Sequence, residues 1–87
     1  MDPSLQRFVD MAIDDVARRL GVDRSAVGVI DVRPVVWPDR SLGCPRPGMN
    51  YAQVQQDGLR IRLEVQGREF AYHGGGGRAP FLCENPR

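Results

Sequence analysis

The chain contains no lysine; all twelve of its basic residues are arginine. Eleven acidic residues bring the formal net charge to +1, so the strong excess of one sign that marks a nucleic-acid footprint is missing and no nucleic-acid partner is expected. The arginine-only usage fits codon bias in a GC-rich genome better than selection for bidentate anion contacts. No apolar run approaches the roughly 18 residues that a membrane-spanning helix needs. Met1-Asp2-Pro3-Ser4 does not lead a basic stretch into an apolar core, so no secretory leader is written there. The expected compartment is the cytoplasm as the sequence stands, or an extracytoplasmic one if it is a mature piece of a longer precursor.

Cysteine and histidine are equally scarce. Cys44, Cys83 and His73 make three candidate ligands, one short of a closed zinc site and at no zinc-motif spacing, so neither metal nor cofactor is expected. His73-Gly74-Gly75-Gly76-Gly77 resembles the HGGG stretch that supplies oxyanion amides in lipase-like hydrolases, but no G-x-S-x-G elbow accompanies it. Nor does the tetraglycine end in the Gly-Lys-Ser/Thr of a phosphate loop. The plain reading is a flexible joint over 74–77.

What is present is ordinary globular composition, 41% hydrophobic and 26% charged over 87 residues. That suffices for one domain, 1–87, which buries only about 60–65% of its unfolded surface. Leu5, Phe8, Val9, Ala12, Ile13, Val16, Ala17 and Leu20 recur at three- and four-residue steps, which predicts a helix over about 3–20 with one buried face. Asp2 suits the N-cap and Pro3 the first turn. Asp14–Arg18 and Asp15–Arg19 are acidic-then-basic pairs on the wet side, and Gly21 ends the helix with Val22 packing back.

A β-branched stretch over about 27–37 predicts a strand, and Pro34 makes it an edge strand or a bulged one. Its orientation stays open, because Val29, Val35 and Trp37 share one parity while Ile30, Val32 and Val36 share the other. Asp57-Gly58 is a strong hairpin signal and Gln66-Gly67 a weaker one. Two-residue turns at both sites predict strands over about 50–56, 59–66 and 68–73, with Val54, Ile61 and Tyr72 aligned, and Ala52, Leu63 and Phe70 likewise. The opposite face then carries Tyr51, Gln53, Gln55, Arg60, Arg62, Glu64, Glu69, Ala71 and His73. A stacking platform for single strands around Tyr51 is poorly supported, with Glu64 and Glu69 alongside. Residues 79–83 form a short apolar tail that docks on an edge. The expected fold is α+β, one N-terminal helix packed on a four-stranded antiparallel meander.

Residues 38–49 are long for a hairpin connection, and Pro38, Pro45 and Pro47 restrict their backbone. Two readings stand open. The loop packs Leu42 and Met49 onto the edge of the core, or it is a recognition loop that presents Arg40 or Arg46. The candidate binding residues are Trp37, Asp39, Arg40, Leu42 and Arg46.

Trp37-Pro38-Asp39-Arg40-Ser41-Leu42-Gly43-Cys44-Pro45, followed by Met49-Asn50-Tyr51, Gly58-Leu59-Arg60-Ile61 and Gly67-Arg68-Glu69-Phe70-Ala71-Tyr72-His73, resembles a family of small uncharacterised bacterial domains over about residues 5–83. Some members of that family look like parts of secreted proteins or lipoproteins. The helix, the Leu20-Gly21-Val22 exit and the strands ending in Gly67-Arg68-Glu69-Phe70 also look like a PepSY-type domain, a class associated with restraint of peptidases. The long cysteine-bearing loop and the glycine tail depart from the PepSY pattern.

Cys44 and Cys83 are a disulfide candidate that closes a loop of roughly 40 residues, a large constraint for so small a domain. Two packed reduced thiols, or a reactive or metal-binding pair, are the other readings. A nucleophile–base pair of Cys44 with His73 is disfavoured by the register, which sets them at opposite ends of the sheet. With no catalytic residues in view, an enzyme is not expected. The expected function is a non-catalytic binding module that uses the 38–49 loop on a protein partner, with a peptidase implied by the PepSY resemblance, in a monomer or weak dimer. The alternatives are a thiol-dependent redox or metal-binding protein using Cys44 and Cys83, and a purely structural accessory domain. A free-thiol count with intact mass, on protein purified without reductant and then denatured, separates them. Zero free thiols in a monomer joins Cys44 to Cys83, whereas two free thiols removes the staple.

Overall fold

The computed structural model describes residues 3–84. Helix α1 (Pro3–Leu20) is followed by a short 3-10 turn (Arg24–Ala26) and four strands, β1 (Gly28–Trp37), β2 (Gln56–Val65), β3 (Arg68–Gly75) and β4 (Arg78–Cys83). The strands form one antiparallel sheet in the order β1-β2-β3-β4. This is the expected α+β architecture of one helix on a four-stranded sheet.

The apolar stripe of α1 does what its period requires. Val9, Ala12 and Val16 pack on Ile61, Leu63, Val65 and Tyr72, with Phe8, Ile13, Val32, Phe70 and Leu82 around them. The helix ends at Gly21 in a left-handed conformation (φ 67°), and the Val22 N–H donates to the Ala17 carbonyl at 3.0 Å, closing the last turn. On the outer side Asp15 pairs with Arg19 at 2.6 Å and with Arg18 at 3.6 Å, while Asp14 pairs with Arg24 of the 3-10 turn at 2.7 Å rather than with Arg18. The Asp2 cap lies outside the described residues.

Tyr72 is fully buried beneath the helix, and its hydroxyl donates to Asp15 Oδ2 at 2.6 Å. Burial and the bond to Asp15 push the tyrosine pKa up. Burial opposes ionisation of Asp15, but the Tyr72 hydroxyl and Arg19 outweigh it and hold the carboxyl below its ordinary value of 3.8. This polar contact ties the helix to the sheet beside the apolar stripe that orients it.

The Gln66-Gly67 turn forms as expected, with both residues at positive φ (52° and 82°), the two-residue geometry that suits sheet twist. The register Ile61–Tyr72 and Leu63–Phe70 follows from it. The stronger turn signal, Asp57-Gly58, is overturned, because both residues lie inside β2 opposite Val36 and Val35. Gly58 is required there for lack of a side chain. A Cβ would collide with the Gly74 carbonyl and the Trp37 indole.

Residues 50–56 are therefore not the expected strand. All but Gln56 belong to a connection of residues 38–55, and the fourth strand is β4, made from the segment expected to dock as a tail. The expected joint at 74–77 is also corrected. Gly74 and Gly75 complete β3, and Gly76 and Gly77 (φ 56° and 82°) make a second tight hairpin turn into β4.

β1 is an edge strand, as Pro34 requires, and it also carries a register shift between Val29 and Asp31. The shift brings Val29 and Val32, of opposite parity, onto one side of the sheet, opposite Leu63 and Ile61. That side faces the helix. β4, the other edge, contains Pro80, so both edges hold a residue that cannot extend a ladder.

Ile61 sits at the centre of the core with no exposed surface. Ile61→Ala is expected to lower unfolding free energy by about 3–4 kcal/mol, read from the urea midpoint at unchanged slope. That is a large share of the roughly 4–13 kcal/mol available to a domain of this size.

Candidate functional site

The second face of the sheet is where the fold departs from a plain helix-on-sheet layer. Sequence alternation gives it to solvent, but residues 37–44 fold back across one end of it. Trp37, the last residue of β1, lies with its indole over Gly58 and beneath Gly43, both bare of the side chain that would strike the ring. Gly75 lies close by and is held bare chiefly by the Asp57 carbonyl and the Gly58 backbone. Its Nε1–H donates to the Gly74 carbonyl at 2.9 Å. The His73 ring stacks on it, with centroids 4.6 Å apart and planes 23° from parallel.

Asp39 organises the turn that follows. Its carboxylate accepts from the Ser41 backbone N–H at 2.9 Å and from the Ser41 hydroxyl. Leu42 and Gly43 both take positive φ (54° and 71°), which reverses the chain and turns the Leu42 carbonyl onto His73 Nδ1 at 2.7 Å. A carbonyl only accepts, so Nδ1 carries the proton. Leu42 itself is 1% exposed. One residue on, Cys44 reaches Cys83 at the end of β4, with the sulfurs 2.16 Å apart in a disulfide and the Cα atoms 5.7 Å apart. The run from Trp37 to Cys44 is thus a second small core, laid on the face opposite the helix.

His73 is a correction in two respects. It is 1% exposed rather than solvated, and it lies against the cysteine-bearing loop rather than at the far end of the sheet. The cause is the β1–β2 hairpin, which closes from Trp37 to Gln56 and so delivers residues 38–44 to the end of the sheet that holds His73. Nearness makes no catalytic pair, because the Cys44 sulfur is bonded to Cys83. The platform around Tyr51 fails likewise, since Tyr51 belongs to the loop and its hydroxyl accepts from the Arg46 N–H at 3.1 Å. At the open end of this face Arg62 bridges Asp31 (3.1 Å) and Glu69 (3.4 Å).

Of the five candidate binding residues, Trp37 and Leu42 are buried and Asp39 shapes the turn, so these three support the loop from within. Arg40 and Arg46 are exposed. The expectation that Met49 packs on the core edge is overturned, as its side chain is 59% exposed. Residues 45–54 form an outer arm. Arg40 N–H donates to the Ala52 carbonyl at 3.1 Å, and Met49 N–H to the Arg46 carbonyl at 3.2 Å across a turn with Gly48 at φ 78°. The arm carries Arg46, Met49 and Val54 outward. Among the described residues no group of three or more His, Cys, Asp or Glu is placed to hold a metal.

These features define a small α+β domain with a core on each face of its sheet and a disulfide that fastens the second. A family model described as a domain of unknown function (DUF8738) matches residues 9–83, and the chain belongs to that family. No curated protein and no solved structure matches it.

Burial holds His73 below its ordinary pKa of 6.5, opposed by the bond to the Leu42 carbonyl and reinforced by Arg60, its cross-strand neighbour. Its Nε2 is buried with no hydrogen-bond partner among the described residues, so an added proton would find no acceptor there. The unfolded chain takes up that proton near 6.5 and the folded chain only at lower pH, so stability is complete above 6.5 and falls as pH drops below it. Asp15, Asp23 and Asp31 are held below 3.8 and lose their contribution only further down, which separates the two windows. Urea midpoints are expected to decline between pH 7 and pH 5, and His73→Phe, which keeps a ring against Trp37, is expected to flatten that decline.

Proposed function

We propose that this domain is a non-catalytic recognition module of an oxidising, extracytoplasmic compartment, presenting the arm of residues 45–54 to a protein partner. The observation that supports the reading is the division of the loop. Trp37, Ser41, Leu42 and Gly43 are buried and Cys44 is cross-linked, whereas the arm beyond them is largely exposed yet tied by four hydrogen bonds. A surface held in one shape loses little conformational freedom on binding, which is what a rigid loop contributes to affinity. Arg46 and Met49, an arginine and a flexible apolar side chain, are residue types enriched at such contacts. The disulfide supports an oxidising compartment, since such bonds persist where thiols are not kept reduced. A peptidase is the partner class toward which the PepSY-like resemblance points. Metal binding or thiol catalysis at Cys44 and Cys83 has no observation in its favour, because the two sulfurs are bonded to each other.

The test compares wild type with an Arg46→Glu, Met49→Ser double variant and with Met11→Ser, which alters an exposed residue of the helix. Crosslinking capture from the source organism's extracytoplasmic fraction identifies a partner, and affinity is then measured with the purified pair. The arm variant is expected to bind at least about tenfold more weakly while Met11→Ser binds as wild type. Equal binding by all three would overturn the arm as the contact surface.

A further inference from the structure

We propose that the Cys44–Cys83 disulfide is a redox latch, whose reduction releases residues 38–44 from the sheet while the helix-covered core stays folded. The two cores share the sheet but not their side chains. Val9, Ala12, Val16, Ile61, Leu63, Val65 and Tyr72 lie on the helix side. Trp37, His73, Leu42 and both sulfurs lie on the other. Severing the bridge therefore removes nothing from the first core.

The two cysteines are unequally exposed. Cys83 is 3% exposed, whereas Cys44 is half-buried and lines a surface groove with Pro45 and Pro47, flanked by Arg19 and Arg46. Arg19 is paired with Asp15 and Glu84 also lines the groove, so access rather than charge makes Cys44 the first point of attack for an incoming thiolate. With a dithiol as reductant, one thiolate attacks Cys44 Sγ, the bridge breaks, and the electron pair leaves on Cys83 Sγ, which takes up a proton. The second thiolate of the reductant then attacks its own sulfur in the mixed disulfide and expels Cys44 as a thiolate, which is protonated in turn. Two electrons and two protons pass to the protein, and the dithiol leaves as its own disulfide. The new Cys83 thiol lies 4.0 Å from the Gly43 carbonyl, an acceptor already in place.

Leu42, the indole seat and the bond to His73 are then among the contacts that hold the loop. With the sheet still folded, the bridge restrains only the segment between Trp37 and Cys44, and in the chain-entropy model its loss favours the released state by roughly 10- to 100-fold. The arm begins at the residue after Cys44, so release also unpins the surface proposed above as the contact, a consequence that rests on that reading. The latch itself does not.

The experiment treats the full chain with dithiothreitol without denaturant and reads three signals. These are the emission of Trp37, the one tryptophan; the far-UV circular dichroism; and amide exchange by segment. A Cys44→Ser, Cys83→Ser double variant serves as the permanently open form. The latch predicts a red shift of Trp37 emission and exchange at least about tenfold faster over residues 38–55, with the helical signal and β2–β3 protection kept and all signals restored on reoxidation. Unchanged emission and loop protection after reduction would overturn it. So would loss of the helical signal together with the loop, or a bridge that yields only in denaturant. Partner binding enters none of these readings, so the latch and the recognition arm can fail separately.

Discussion

An indole laid flat on a sheet needs a floor without side chains and an acceptor for its N–H, and meeting both demands organises one whole end of this domain. Gly58 supplies the floor, the Gly74 carbonyl the acceptor, and Gly43 the roof. His73 completes the seat as a stacked ring, and its own Nδ1–H holds the Leu42 carbonyl in place. Gly43 and Gly58, from two separate segments, are thus answers to one side chain. The turn that carries the roof is built by Asp39 and Ser41 and ends at the cysteine.

The same seat explains how so short a chain covers both faces of its sheet. An antiparallel sheet of this size ordinarily leaves one face to water. Here the helix takes one face along its apolar stripe, and Trp37 with seven residues of loop takes part of the other, with charged pairs such as Asp31–Arg62 left at the open end. The hydrophobic gain of so small a cover is slight, and the covalent bridge compensates by limiting the freedom of the unfolded chain.

The helix was legible because its stripe, exit glycine and length agree, and the β2–β3 hairpin because a two-residue turn fixes its register. Gly58 misleads because local pattern cannot tell a glycine needed for turning from one needed for thinness. Once that turn is misplaced, residues 50–56 become a strand, β4 is reduced to a tail, and His73 moves to the wrong environment. β1 resists orientation for a physical reason, since its bulge puts Val29 and Val32 on one face although their parities differ. In the loop the spacing of prolines announced a shaped segment, yet nothing local separated its buried half from its exposed half. The Trp37–His73 pair joins residues on β1 and β3, so it exists only once the sheet has formed.

The cross-link also decides how the domain bears a pull. Tension applied between the two ends of the chain runs through the helix and β1 to Cys44, crosses the sulfur bridge, and leaves at Cys83. The stretch from 45 to 82, which holds β2, β3 and nearly all of β4, is bypassed and carries no covalent load. While the bridge is intact, an end-to-end pull therefore cannot extend those strands, although they make up most of the sheet.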